Sequence, residues 1–82
     1  MAQNAEPNLV TLYVVPACPL CEHARRWLTE HRIIHVERDV AQNFGALREM
    51  YKLTRQQLVP VFEVNGKVLV RPTDAQLSDL LL

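Results

Sequence analysis

Along this chain, short β-branched apolar runs alternate with longer stretches in which apolar residues recur at helical spacing. LVTLYVV (Leu9 to Val15) is a continuous apolar run of strand length, suited to burial on both faces, and Pro16 and Ala17 end it. From Pro19 to about His31, Leu20, Ala24, Trp27 and Leu28 fall on one helical face, so Trp27 and Leu28 are expected in the core. Glu22, Arg26, Thr29 and Glu30 fill much of the other side. IIHVER (Ile33 to Arg38) reads as a second strand. Val40, Phe44, Leu47 and Tyr51 mark a second helix, weakened at its start by Gly45, with Phe44 and Tyr51 expected to pack on the sheet.

Beyond the polar TRQQ, the apolar runs LVPVFEV and KVLV flank Asn65-Gly66. That dipeptide is a strong hairpin signal because both residues tolerate positive φ. Thr73 followed by Gln76 is a capping-box pattern, leading into Leu77, Leu80 and Leu81 on one helical face. The predicted order is β-α-β-α-β-β-α. The first two strands, joined by a helix, should be parallel with a right-handed connection. The hairpin adds an antiparallel pair, so the predicted fold is α/β, a four-stranded mixed sheet flanked by helices.

Composition narrows the function classes. The chain has 82 residues, room for one domain, read as residues 9–82 behind a loose polar tail at 1–8 that carries Pro7. Nine basic and nine acidic side chains cancel, so no basic excess points to nucleic acid. The longest apolar runs fall far short of the roughly 20 residues a membrane span needs. MAQNAEPN has neither a basic n-region nor an apolar h-region, so no secretory signal is expected and a cytoplasmic location is. Cys18 and Cys21 are the only cysteines, too few for a disulfide scaffold, and a lone C-x-x-C in that compartment leans catalytic or metal-binding.

The position of the pair adds to this. Cys18 falls just after a buried strand and at the expected N-cap of the first helix, with Pro19 at N1, where the fixed φ of proline suits a helix start. The N–H groups of Leu20 and Cys21 then point toward the Cys18 sulfur. Together with the positive end of the helix dipole they favour thiolate over thiol. At such a position a thiol pKa falls from ~8.5 into the range of about 3.5–7.5. Glu22, if it faces the sulfur, opposes the shift. Cys21 lies one turn in and more shielded. A relay follows, in which Cys18 attacks a substrate disulfide and Cys21 resolves the mixed disulfide.

Other chemistries compete for the same thiols. Cys18 and Cys21, followed by His31 and His35, supply two thiols and two imidazoles, enough for tetrahedral zinc. Nine residues separate the pairs where zinc fingers have about twelve, and His35 falls inside a predicted strand. A structural disulfide would close a tiny loop and constrain little of the unfolded chain. Pro60, at a strand start, reads by itself as an ordinary trans edge proline. His23 has no support as a base, and Arg25 reads as a solvated surface arginine that could bias the thiols.

The strand–C-P-x-C–helix opening, Val59-Pro60 before the third strand and the Asn65-Gly66-Lys67 hairpin together resemble a glutaredoxin-type member of the thioredoxin superfamily, over about Leu9 to Leu82. The resemblance implies a thioredoxin-like fold and a thiol–disulfide oxidoreductase, with Cys18 as nucleophile and Cys21 as resolving cysteine. It implies a cis Val59-Pro60 bond, with the Val59 backbone pairing an extended substrate. It implies no bound metal or organic cofactor, protein or small-molecule disulfides as substrates, glutathione or a reductase flavoprotein as electron donor, and a monomer. The rival reading is a non-catalytic module that binds zinc or an iron–sulfur cluster, or docks a partner protein, through the Cys pair; relatives sharing an iron–sulfur cluster across a dimer exist.

The chain also departs from the family pattern. Glutaredoxins usually carry a Gly-Gly pair and then an Asp pair that help bind glutathione. Here Val70 and Arg71 replace the glycines, and Thr73 and Asp74 the acids. The common Tyr inside the motif is Leu20, and Val15 stands where a basic residue is frequent. The close backbone approach that glycine permits is lost. What remains is the start of the last helix at Asp74 and Ala75, a generic anion site, with Arg71 as a cation beside it. Val70-Arg71-Pro72 resembles instead the Phe-Arg-Pro of small redoxins reduced by thioredoxin reductase.

Overall fold

The computed structural model describes residues 9–82; the tail expected at 1–8 lies outside the described residues. Strand β1 (Val10–Val14) forms from the β-branched run and pairs on both sides. It runs parallel to β2 (Val36–Asp39), with Leu12 opposite Glu37, and antiparallel to β3 (Val61–Val64), with Leu12 opposite Phe62. Strand β4 (Lys67–Val70) pairs antiparallel with β3, giving the order β2-β1-β3-β4. Three helices complete the β-α-β-α-β-β-α order: α1 (Pro19–Glu30), α2 (Phe44–Thr54) and α3 (Asp74–Leu81). The fold is thioredoxin-like, as the sequence predicts.

Alternation along the strands divides the core. Phe62 shares a cavity lining with Leu20, Ala24 and Leu77, which puts α1 and α3 on that face of the sheet. Thr11, Tyr13 and Glu63 line a depression with Glu49, Lys52 and Leu53, so α2 covers the opposite face. Leu12, Leu28, Ala46, Met50 and Val61 are fully buried, and Trp27 is in the core as expected.

Several local signals act as read. Asn65 and Gly66 adopt φ of 51° and 89°, the two positive values of a tight hairpin turn. Asn65 also donates its N–H to Leu9 O at 3.0 Å and accepts from Leu9 N at 2.8 Å through its side chain, extending the sheet past β1. The capping box is complete: Thr73 Oγ1 accepts from Gln76 N at 3.1 Å, and Thr73 N donates to Gln76 Oε1 at 2.8 Å. Thr73→Ala removes one of these bonds and leaves an orphan amide. It is expected to cost about 1 kcal/mol, read as a lower urea midpoint at unchanged slope.

Two expectations are corrected. The second strand begins at Val36 rather than Ile33, because the end of α1 takes the intervening backbone. Arg32 adopts φ 57°, its N–H bonds Thr29 O, and the Ile33 N–H bonds Leu28 O at 2.9 Å, a Schellman closure. The chain needs two further residues to leave it, and Ile34 is exposed.

Phe44 and Tyr51 do not pack on the sheet; they are 84% and 45% exposed. The buried face of α2 is set by Ala46 and Met50, one turn apart. At about 100° per residue, Phe44 and Tyr51 lie roughly 160° and 140° around the helix from Ala46, so their periodicity tracks the solvent face. Among the described residues, no helix is long and apolar enough to cross a membrane.

Candidate functional site

Cys18 is the N-cap of α1, with extended backbone (φ −116°, ψ 109°) and Pro19 following it in the first helical turn. Ala17 before it takes a positive φ of 56°, which turns the chain out of β1 and into the helix. Cys18 Sγ accepts the Cys21 N–H at 3.1 Å; of the two amides expected to point at the sulfur, only this one bonds it among the described residues. That donor lies in the first turn, the positive end, of a 12-residue helix. Both cysteines are free thiols; Cys18 is half-buried and Cys21 is 1% exposed.

The two sulfurs therefore differ. Burial pushes the Cys21 thiol up to about 11, and its hydrogen bond with Cys18 adds to the shift. A backbone bond at Val15 and the Arg25 charge pull the other way. The raised value means Cys21 keeps its proton at neutral pH. Iodoacetamide at pH 8 is thus expected to label Cys18 and spare Cys21, with Cys21 labelling rising only as pH approaches about 11. Equal labelling at pH 8, read by peptide mass spectrometry, would contradict the asymmetry.

Arg25 is more than a solvated arginine. It makes a two-pronged bond to Glu37 on β2, Nε to Oε2 at 2.7 Å and Nη2 to Oε1 at 3.0 Å, and holds Glu22 at 3.0 Å. The Glu37 carboxyl is accordingly held below its usual range, chiefly by the Arg25 bond. This network fixes α1 against the sheet edge and occupies Glu22, the acid nearest the thiols.

The Val59–Pro60 bond is cis. Pro60 and Leu20, one of the two residues between the cysteines, line the same small cavity of ≈ 70 Å³, so the C-x-x-C loop and the cis-proline segment are neighbours. Arg71 ties that segment down: its N–H donates to Pro60 O at 3.0 Å and its Nε to Val59 O at 2.7 Å. The Val59 carbonyl keeps a second lone pair beyond the one Arg71 uses. Arg71 holds a positive φ of 49°, a backbone position that the family's glycine would take without strain.

Of the remaining sequence-predicted residues, Asp74 lines the same cavity and Thr73 does not, and each is engaged within the protein. The Thr73 hydroxyl serves the α3 cap. The Asp74 carboxylate accepts from His23 Nε2 at 2.9 and 3.2 Å, joining α1 to α3. No sequence signal pairs His23 with a residue 51 positions away. The four zinc candidates are not assembled. His31 closes the far end of α1, its Nδ1 bonded to Trp27 O and its ring tilted against Trp27, about 20 Å along the helix from Cys18. His35 bonds Ile33 O and Glu37. Among the described residues, no group of three or more His, Cys, Asp or Glu converges as metal ligands.

Comparison with known proteins agrees with this geometry. A sequence model of the glutaredoxin family matches residues 10–69. A glutaredoxin-like 8.6 kDa protein encoded in the rubredoxin operon of Clostridium pasteurianum, itself uncharacterized, is 29% identical over 73 residues, covering 89% of this chain and 97% of that protein. The global transcriptional regulator Spx of Bacillus subtilis is 32% identical over 63 residues, covering 73% of this chain; the chain spans about half of that regulator's length (48%). Among solved structures, a mutant of a thioredoxin-like protein superposes with TM-score 0.83 at 22% identity, covering 88% of this chain and 92% of the other. A glutaredoxin from Archaeoglobus fulgidus gives 0.79 at 16% identity, covering 87% and 83%.

Proposed function

Because the chain belongs to the glutaredoxin family, we propose that it is a thiol–disulfide oxidoreductase that reduces disulfides through its Cys18–Cys21 dithiol. The observation that carries the reading is the unequal pair: a half-buried N-cap sulfur that accepts the Cys21 amide, one turn from a buried, protonated partner. Cys18 attacks one sulfur of the substrate disulfide, forming a mixed disulfide and releasing the other sulfur as a thiolate. Cys21 then gives up its proton and attacks Cys18 Sγ. The second substrate thiol leaves, and the two electrons gained by substrate equal the two lost in forming the Cys18–Cys21 disulfide.

The electrostatics favour that order. While Cys18 is free, its hydrogen bond and charge help keep the proton on Cys21. Once Cys18 is in a mixed disulfide both influences end, burial alone opposes ionisation, and Arg25 acts in the lowering direction. The Val59 backbone offers the strand-like edge along which an extended substrate aligns beside Cys18.

Electrons return from glutathione or from a reductase flavoprotein, with a potential between about −200 and −270 mV. The protein acts as a cytoplasmic monomer that holds no metal or organic cofactor. The test is reduction of insulin disulfides by the purified protein with dithiothreitol as donor. Catalysis well above dithiothreitol alone is expected, and a rate equal to it overturns the reading.

The similarity to Spx favours a second reading, in which the same dithiol module acts within gene regulation rather than as a reductase. Reversible formation of the Cys18–Cys21 disulfide without turnover of any disulfide substrate would select it.

A further inference from the structure

The cavity beside cis-Pro60 has an apolar floor formed by Phe62 and Leu77, both buried. Three charged or titratable groups stand on its rim, His23, Arg71 and Asp74, and each is engaged within the protein. Arg71 Nε is bonded to the Val59 carbonyl, and Asp74, the one carboxylate in the lining, is bonded by His23 Nε2 through both oxygens. An extended substrate aligned along Val59 places the groups flanking its reacting cysteine about 3.3 Å per residue to either side. One flank therefore meets this rim. Glutathione would bring there a free amino-acid terminus, with an ammonium that needs a carboxylate partner. A cysteine inside a polypeptide brings an ordinary side chain and no terminal charge.

We infer that His23 is a specificity-determining residue of this groove: by holding the Asp74 carboxylate it competes with the ammonium group of a glutathione-type thiol for that partner. The recess is left to an uncharged side chain beside the cysteine of a protein disulfide. This deepens the reductase reading and rests on it for its setting. His23 and Asp74 side chains are 57% and 56% exposed, so the pair is a rim contact that water competes with. Such a pair changes an equilibrium by about two- to five-fold, and that sets the size of the effect.

The test starts from the oxidised protein and follows reduction of its own Cys18–Cys21 disulfide by alkylation of the thiols formed. Two glutathiones give up one electron each and leave as their mutual disulfide. In a parallel reaction dithiothreitol, an uncharged dithiol, gives up both electrons and closes to its cyclic disulfide. The readout is the ratio of the glutathione rate to the dithiothreitol rate in wild type and three variants. His23→Ala is expected to raise the ratio about two- to five-fold. His23→Lys keeps an N–H donor beside Asp74 and should stay near wild type. His23→Ala combined with Asp74→Asn should fall back to wild type, because the freed carboxylate is gone. An unchanged ratio in His23→Ala, or an equal rise in the double variant, overturns the inference. The measurement uses the protein's own disulfide, so it stands apart from insulin turnover: loss of turnover in wild type sinks the reductase reading, and a flat ratio sinks the role of His23.

Discussion

Cys18→Ser is expected to reduce insulin no faster than dithiothreitol alone, while Cys21→Ser stops after the first step and accumulates as a mixed disulfide with its substrate. The difference follows from where the sulfurs sit. Cys18 is the accessible N-cap sulfur with an amide donor at 3.1 Å. A serine hydroxyl in its place stays protonated at neutral pH and is a poor nucleophile toward sulfur. Cys21 is 1% exposed and holds its proton up to about pH 11, so it cannot open the reaction from outside. Its replacement leaves the first attack intact and removes the group that releases product. Non-reducing mass spectrometry after a single exposure to a peptide disulfide reads the adduct directly. Adduct on Cys21 in the Cys18→Ser protein, with full turnover, would reverse the assigned roles.

Phe62→Ala is expected to destabilise the fold by about 3–5 kcal/mol, a large share of the roughly 4–12 kcal/mol available to a domain of this size. Phe62 is fully buried on β3, opposite Leu12 on one side and Leu69 on the other, and it forms part of the floor under the site. Truncation removes its contacts with three neighbours at once: the central strand, the edge strand and the α1–α3 face. At about 4–8 °C per kcal/mol for a small domain, the melting temperature should fall by more than 10 °C. Phe44→Ala is the matched control. Its ring is exposed, so its loss should stay within about 0.5 kcal/mol. Comparable losses for the two variants would mean that α2 presents a different face to the sheet.

How much was legible in the sequence depended on how far apart the partners are. The start of α1 could be read because Cys18, Pro19 and Cys21 act on one another within a single turn. The hairpin at Asn65-Gly66 and the capping box from Thr73 to Gln76 are equally local, and each formed as read. The buried run at Val10–Val14 was evident from apolar continuity alone. The buried face of α2 was misread because Phe44 and Tyr51 are bulkier than Ala46. Burial was decided instead by which small residue lets the helix approach the sheet. The start of β2 was misread because the closure of α1, with Arg32 in a left-handed conformation normally given to glycine, carries no sequence mark.

The sequence by itself determined the element order, the dithiol at a helix start and its likeness to the glutaredoxins, because these rest on bonds between near neighbours and on apolar period. Only the tertiary structure decided what surrounds the dithiol. It anchored Arg25 to Glu37, tied Arg71 to the Val59 carbonyl and closed His23 onto Asp74. These contacts join residues 12 to 51 positions apart, and many pairings of charge and carboxylate along the chain would have looked equally good. Packing of α1 and α3 on the same face of the sheet chose among them.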